Sequence, residues 1–415
     1  MAANPDAFYD ALETRDAEAR ERDLFARLPA HVAHAKKNAP YFAKLLKGVA
    51  ADAVTDRKAL AAVPVTRKSD LVAIQKNDPP LGGLTAVRPG RLARIYQSPG
   101  PTYDAEGFGA DWWRMARALY AAGFRKGDIL HNAFAYHFTP AGAMLEEGAH
   151  ALGCAVFPAG VGQTELQVRA VADVRPTGYS GTPSFLKTVL EKAREMGADH
   201  SSLKKALVAG EALPPTLRAD IQAYGVDLYQ CYASADLGLI AYEGPPKDGF
   251  IVEESLIVEI LRPGTGDPVP DGEVGEVVVT TFAADYPLIR FATGDLSAVA
   301  HGPSACGRTN MRLKGWMGRA DQTTKVRGMF VHPAQVADIV KRHPEIARAR
   351  MVVDQADGKD TMTLMCETAS ADPALAARIA ETVQSVCKLR GEVSLVAANG
   401  LPNDGKVVED RRKLT

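Results

Sequence analysis

The residues of this chain whose types suit chemistry fall in a few short stretches. Thr293-Gly294-Asp295 joins a glycine that permits a tight turn to a carboxylate with two acceptor oxygens, a pair that can hold sugar hydroxyls. Taken alone the tripeptide is also a common turn. Gly318-Arg319-Ala320-Asp321 and Lys325-Val326-Arg327-Gly328 read as a charged surface loop leading into a strand. Leu401 to Lys406 sets a lysine after a proline and a turn near the C-terminus, where a lysine is ordinarily solubilising. Gly210-Glu211-Ala212-Leu213-Pro214 and Tyr232-Ala233-Ser234-Ala235-Asp236 each follow a strand-like run, and loops at strand C-termini are where ligands bind in open α/β sheets. Ser98, Gly100 and Thr102 lie in a turn-like stretch, Ile95 to Asp104, in which two prolines remove amide donors. Phe134, Tyr136, His137 and Phe138 suit either a pocket for a flat acid or ordinary core packing. No Ser-His-Asp or Cys-His arrangement offers a side-chain nucleophile.

The elements that must position these residues follow from periodicity. Residues 5–47 are helical, with Leu24, Leu28, Val32 and Phe42 near helical spacing. From about 107 to 200, helical patterns (Trp112 to Ala122, Ala141 to Leu152) alternate with short apolar runs (Ile129 to Ala135, Ala155 to Pro158), the pattern of a layered α/β domain. Leu203 to Val208 and Val226 to Tyr229 add buried strands. Residues 250–300 read as a β-rich subdomain with turns at Pro263-Gly264 and Asp271-Gly272. After Gly318 a compact α+β unit is expected: a strand at Thr324 to Val326, a helix from Pro333 to Arg342, strands at Arg350 to Val353 and Thr361 to Cys366, and a helix from Pro373 to Leu389. The fold class is α/β, with a large N-terminal domain over 1–318 and a small C-terminal α+β domain over 319–415.

A chain of 415 residues is too long for one ordinary core. Its 46% hydrophobic and 24% charged content are those of a soluble globular protein. A net charge of -1 gives no electrostatic reason to expect nucleic acid or an anionic membrane as partner. The five cysteines, at 154, 231, 306, 366 and 387, are scattered and without CxxC spacing, which argues for a reducing compartment and against a disulfide framework or structural zinc. The first 22 residues carry no apolar run, so neither a signal peptide nor a membrane span is expected there, and the cytoplasm is the expected location.

In order and spacing, Pro287 to Leu296, Gly318 to Asp321 and Lys325 to Gly328 resemble the signature of adenylate-forming acyl-CoA ligases, and by pattern the phenylacetate-CoA ligases among them. Weaker matches at Pro64 to Leu71, Pro158 to Gln167, Gly181 to Ser184 and Asp271 to Glu276 extend the likeness over nearly the whole chain. The resemblance implies ATP, Mg2+ and CoA, a small carboxylic acid as substrate, and an acyl-adenylate intermediate. It implies that Asp295 binds the ribose hydroxyls and that Arg319 contacts the nucleotide, with Lys325 in the same nucleotide set. Gly210, Glu211, Ala212, Tyr232 and Ala233 flank the adenine, Asp236 stands where the family has a metal-binding Glu, and Lys406 is the adenylation lysine. Asp321 is the hinge of a mobile C-terminal domain, Arg327 and Gly328 lie on the CoA side, and Phe134 to Phe138 line the acyl pocket. Aromatic residues there suit an aromatic acid. The resemblance allows a homodimer, for which no residue pattern marks an interface.

The chain departs from the family at one loop. A Ser/Thr/Gly-rich segment ending in Gly-Lys-Pro is expected to wrap the β- and γ-phosphates. Here Ser98, Gly100 and Thr102 remain, Tyr103-Asp104-Ala105 replaces Gly-Lys-Pro, and Asp104 is expected to put negative charge where phosphates lie. Ala292 stands where the family has an arginine, and Ala235 where it often has Ser or Thr. Two alternatives therefore stand beside the ligase: an ATP-independent acyl transferase or thioester hydrolase on the same fold, and a non-catalytic binder of nucleotide or acyl-CoA.

Overall fold

The computed structural model describes residues 7–98, 101–320, 324–327, 329–331, 333–356, 359–369, 371–402 and 406–412. The chain divides into two units. The first takes Met1–Val258, Val279–Phe291 and Ala300–Gly315; the second takes Glu259–Val278, Ala292–Val299 and Trp316–Thr415. The chain crosses between them inside the strands Ile257–Leu261, Gly275–Thr280, Phe291–Ser297 and Val299–Ala300, and again after Gly315. Residues 259–278 and 292–299, which the sequence reading grouped with the N-terminal domain, thus cluster with the C-terminal part.

The first unit is built on a sheet whose parallel strands run, in spatial order, Ala155–Pro158, Ile129–Asn132, Gly178–Gly181, Lys205–Val208 and Asp227–Ser234. Gly238–Glu243, Phe250–Val252 and Arg312–Leu313 extend it antiparallel. Both faces are covered, as a mostly parallel sheet requires. On one face Trp113, Phe124, Met144 and Leu145 pack with Leu130 and Leu207; on the other, Leu186 and Leu190 pack with Tyr179, Val208 and Leu228. Local chemistry stops the helices where the strands must begin. The helix Ala141–Leu152 ends at Gly153 with φ +79°, and Pro183–Met196 opens on Pro183 and ends at Gly197 with φ +65°. Gly148 lets the helix Ala141–Leu152 lie against Met115, since a Cβ there would stand 2.6 Å from the Met115 Cβ.

In the second unit a four-stranded sheet has the order Glu392–Val396, Lys359–Thr368, Ile346–Ala356, Val408–Asp410. The helices Pro333–Arg342 and Pro373–Cys387 bury Val336, Ile339, Ile379 and Val383 against its Met351, Val353, Leu364 and Cys366. All of the strands and helices expected after Gly318 are present, with the two central strands longer than expected because they pair over their whole length. Among the described residues no helix is long and apolar enough to cross a membrane.

Candidate active site

The turn-like stretch at Ile95 to Asp104 is a β-hairpin, Arg94–Ser98 paired with Thr102–Glu106 in register Ser98 to Thr102 and Tyr96 to Asp104. Strand alternation turns Tyr96, Ser98, Thr102 and Asp104 to the buried face. Asp104 is therefore fully buried on the inner face of the hairpin. Its carboxylate accepts from the Ser98 hydroxyl. Burial, and next the charge of Asp236, push its pKa well above the ordinary carboxylate range, against the pull of Ser98 and Lys68. Asp104 and Asp236 each have one buried carboxylate oxygen without a partner among the described residues. Two acceptors cannot satisfy each other, but one shared proton lets Asp104 donate to Asp236.

Asp236 lies in the turn between the strands Asp227–Ser234 and Gly238–Glu243. Tyr232, Ala233 and Ser234 are in strand here, not loop as the sequence suggested, because the chain folds straight back on itself in a hairpin. The Asp236 side chain has no solvent exposure, and its other oxygen is 2.5 Å from Lys68 Nζ. Lys68 comes from the Pro64 to Leu71 segment and was not singled out by sequence. Arg290 holds that segment: its guanidinium donates to the carbonyls of Ala61 at 2.8 Å and Val63 at 2.5 Å, and its own carbonyl accepts from Thr66 N at 3.0 Å. Arg290 belongs to the Pro287 to Leu296 motif, so part of that motif braces the fold. Tyr286, also unforeseen, is buried close by, and its pKa is pushed up by burial and then by the charges of Asp236 and Asp104.

At the far end of the hairpin, Arg94 spans Glu106 at 2.7 Å and Glu147 at 2.8 Å, tying the hairpin to the helix Ala141–Leu152. Burial and the adjacent Glu106 push Glu147 up to about 7, against the opposing charge of Arg94.

A second group lies in the second unit. Asp295 Oδ1 accepts from Arg319 Nη1 and from Trp316 Nε1, both at 3.0 Å. Gly294 has φ +76°, a conformation that favours glycine, and a Cβ there would stand 2.6 Å from an Arg319 guanidinium nitrogen, which would have to shift from its place.

Residues 110–282 match the AMP-binding enzyme family. The chain is 34% identical over 364 residues to a phenylacetate-coenzyme A ligase of Aromatoleum evansii, covering 82% of this chain and 80% of that protein. The chain belongs to the phenylacetate-coenzyme A ligase family. A relative from Thermus thermophilus with the same description is 32% identical over 373 residues, 85% of this chain and 82% of its own length. A solved structure of 2-hydroxyisobutyryl-CoA ligase with 2-HIB-AMP and CoA matches with TM-score 0.70 and 26% identity over 97% of this chain and 92% of that one. The same ligase in its postadenylation state matches with TM-score 0.72 and 25% identity over 99% and 94%.

In this family member the remaining expected residues are distributed as follows. Gly210, Glu211 and Ala212 are exposed after the strand Lys205–Val208, and Glu211 accepts from Ser184 N at 2.5 Å. Tyr232 and Ala233 are half-buried. Phe134 is packed in the core beside Leu130 and Met144. Tyr136 receives a hydrogen bond from Asn132 Nδ2 at 2.8 Å, while His137 and Phe138 are exposed, Phe138 at 70%. The four aromatic positions thus divide between core and surface. Lys406 is exposed. Arg327 sits in the turn of the hairpin Thr324–Val326/Met329–Val331 and donates through its backbone and guanidinium to Asp360 at 2.8–3.0 Å. The backbone of Lys325 lies in that hairpin. Gly100, Asp321 and Gly328 lie outside the described residues.

One Asp236 oxygen is taken by Lys68 and the other faces Asp104, and among the described residues no three His, Cys, Asp or Glu side chains group together. A Mg2+ carried by ATP is held by one or two carboxylates together with the phosphates, so Asp236 would serve as such a ligand once its contact with Lys68 loosened.

Proposed function

We propose that the protein is an AMP-forming carboxylate–CoA ligase. The observation that carries the reading is the likeness to phenylacetate-coenzyme A ligases over four-fifths of the chain. The site chemistry supports it. A substrate carboxylate attacks the α-phosphorus of ATP, a new oxygen–phosphorus bond forms, and pyrophosphate leaves with the electron pair of the broken bond. CoA thiolate then attacks the acyl carbonyl and AMP departs. Asp295 takes the ribose and Arg319 contacts the nucleotide; Gly210 to Ala212, Tyr232 and Ala233 take the adenine. Lys406 stabilises the charge that develops at the α-phosphate, with the C-terminal part moving about Asp321 between the two half-reactions.

The altered phosphate hairpin does not weigh against ATP as it did in sequence. Asp104 is turned inward, and burial and the neighbouring Asp236 push its pKa well up, which lessens the negative charge it brings toward phosphates. Lys68 brings a positive one, held by Asp236 yet a quarter exposed. We assign Lys68 the phosphate-facing role that the missing Gly-Lys-Pro lysine has in the family. Asp236 is the carboxylate that would meet the Mg2+ of Mg-ATP. An aromatic acid is the expected substrate class, with Tyr136 the half-buried aromatic at its pocket.

Pyrophosphate release from ATP across aryl, arylacetic and short aliphatic acids, with and without CoA, tests this. Acid-dependent release, with acyl-CoA formed when CoA is present, is expected. No release with any acid, together with turnover of a preformed acyl-CoA, would overturn it in favour of an ATP-independent acyl transferase or thioester hydrolase.

A further inference from the structure

Trp316 is more than half exposed, at 57%, although indole is among the costliest side chains to leave in water. Its position follows from the backbone. Residues 316–320 lie antiparallel along 294–296: Met317 N donates to Leu296 O at 2.8 Å, Leu296 N to Gly318 O at 2.9 Å, and Ala320 N to Gly294 O at 2.7 Å. Asp295 and Arg319 are directly opposite each other in this pairing. Trp316 and Arg319, three residues apart, therefore reach the same carboxylate oxygen from two sides, each at 3.0 Å.

That arrangement solves a geometric problem. The terminal torsion of an aspartate is broad, so a carboxylate on a strand is not aimed by its backbone alone. Arg319 fixes a distance to Oδ1 but leaves rotation about it. A second donor to the same oxygen removes that rotation and sets the direction of the other oxygen. A vicinal diol, which must meet an acceptor at a defined angle with both hydroxyls, gains from a carboxylate so aimed.

We propose that Trp316 is a positioning residue for nucleotide recognition, its indole N–H holding the Asp295 carboxylate in the orientation that accepts the ribose hydroxyls. The inference rests on the assignment of Asp295 to the ribose. It concerns Trp316, which acts only through Asp295, and it predicts a selectivity that packing cannot produce. Trp316→Phe keeps an exposed aromatic ring and removes the N–H.

The test is calorimetric binding of ATP and of 2′,3′-dideoxy-ATP to the full chain. Wild type is measured first. It is expected to bind ATP more tightly, and Trp316→Phe to lose about tenfold toward ATP and nothing toward the dideoxy nucleotide, the size of a lost hydrogen bond to a charged group. Trp316→Leu, with thermal melting as a check on folding, is expected to behave alike. Equal weakening toward both nucleotides, or none toward either, would overturn the role of Trp316 while leaving that of Asp295 standing. A wild type that does not distinguish the two nucleotides, matched by an unchanged Asp295→Asn, would overturn the ribose assignment and this proposal with it.

Discussion

Asp104→Asn separates the two readings of the altered hairpin. If Asp104 carries a proton in the folded chain, asparagine is close to the same group: neutral, of the same shape, with an N–H to give Asp236. The wild-type carboxyl has its folded pKa raised above its unfolded value. Its contribution to stability is therefore fully present below the unfolded pKa, about 3.9, and is lost as pH rises through the folded pKa. Between those limits the folded protein holds one proton more than the unfolded chain. Wild-type stability should then fall relative to the variant by about 1.4 kcal/mol per pH unit. Asp104 has no solvent exposure, so screening takes little from that slope. Denaturant unfolding of both proteins at a series of pH values from about 5 upward reads it directly. We expect the variant to gain on wild type until pH passes the folded pKa and to level off above it, and to keep pyrophosphate release within a few-fold. Parallel stability profiles would refute the shared proton. A large gain in ATP affinity in the variant would refute the inward orientation, because it would mean the carboxylate had been facing the phosphates.

Lys68→Met should leave Asp236 buried without its cation, costing about 3–5 kcal/mol. The double variant with Asp236→Asn should recover most of that stability but not pyrophosphate release, and recovery of both would reduce Lys68 to a structural partner. Glu147, held at about 7 by burial and Glu106, favours folding below its unfolded pKa and loses that contribution as pH rises through 7. Melting temperature should therefore drop between about pH 5 and pH 8 in wild type and less so in Glu147→Gln. Lys406→Ala should lower acid-dependent pyrophosphate release by about a hundredfold or more while ATP binding measured by calorimetry changes little. Loss of binding in step with rate would move Lys406 from transition-state stabilisation to ground-state binding.

Much of the scaffold was legible because it is written in short-range patterns. Ala141–Leu152, Ala155–Pro158 and Pro333–Arg342 begin and end where periodicity and the flanking Gly and Pro residues put them. What could not be read were long-range partners. Nothing near Lys68 in sequence points to Asp236, which lies 168 positions away. Nothing near Arg290 points to the carbonyls of Ala61 and Val63. The burial of Asp104 is illegible for a related reason: Ile95 to Asp104 reads as a turn, and only the pairing of its flanking strands places the side chain on the inner face of a hairpin. The aromatic run from Phe134 to Phe138 was treated as one group, but Phe138, with φ +61°, breaks from regular backbone and carries its ring into solvent.

The differences from the family pattern at Asp104 and Asp236 are best understood as one change. In this chain the lysine of the family pattern is replaced by Asp104 and its glutamate by Asp236, a carboxylate shorter by a methylene. Asp104 and Asp236 are close enough for each charge to act on the other. With Asp104 protonated, the cluster of Lys68, Asp236 and Asp104 sums to zero charge, a condition that allows it to be buried. A second lysine in place of Asp104 would leave a net positive charge in the same buried volume. An aspartate at 104 therefore does not simply erode the loop. Among the described residues it joins Asp236 and Lys68 in a cluster whose charge depends on whether Asp104 holds a proton.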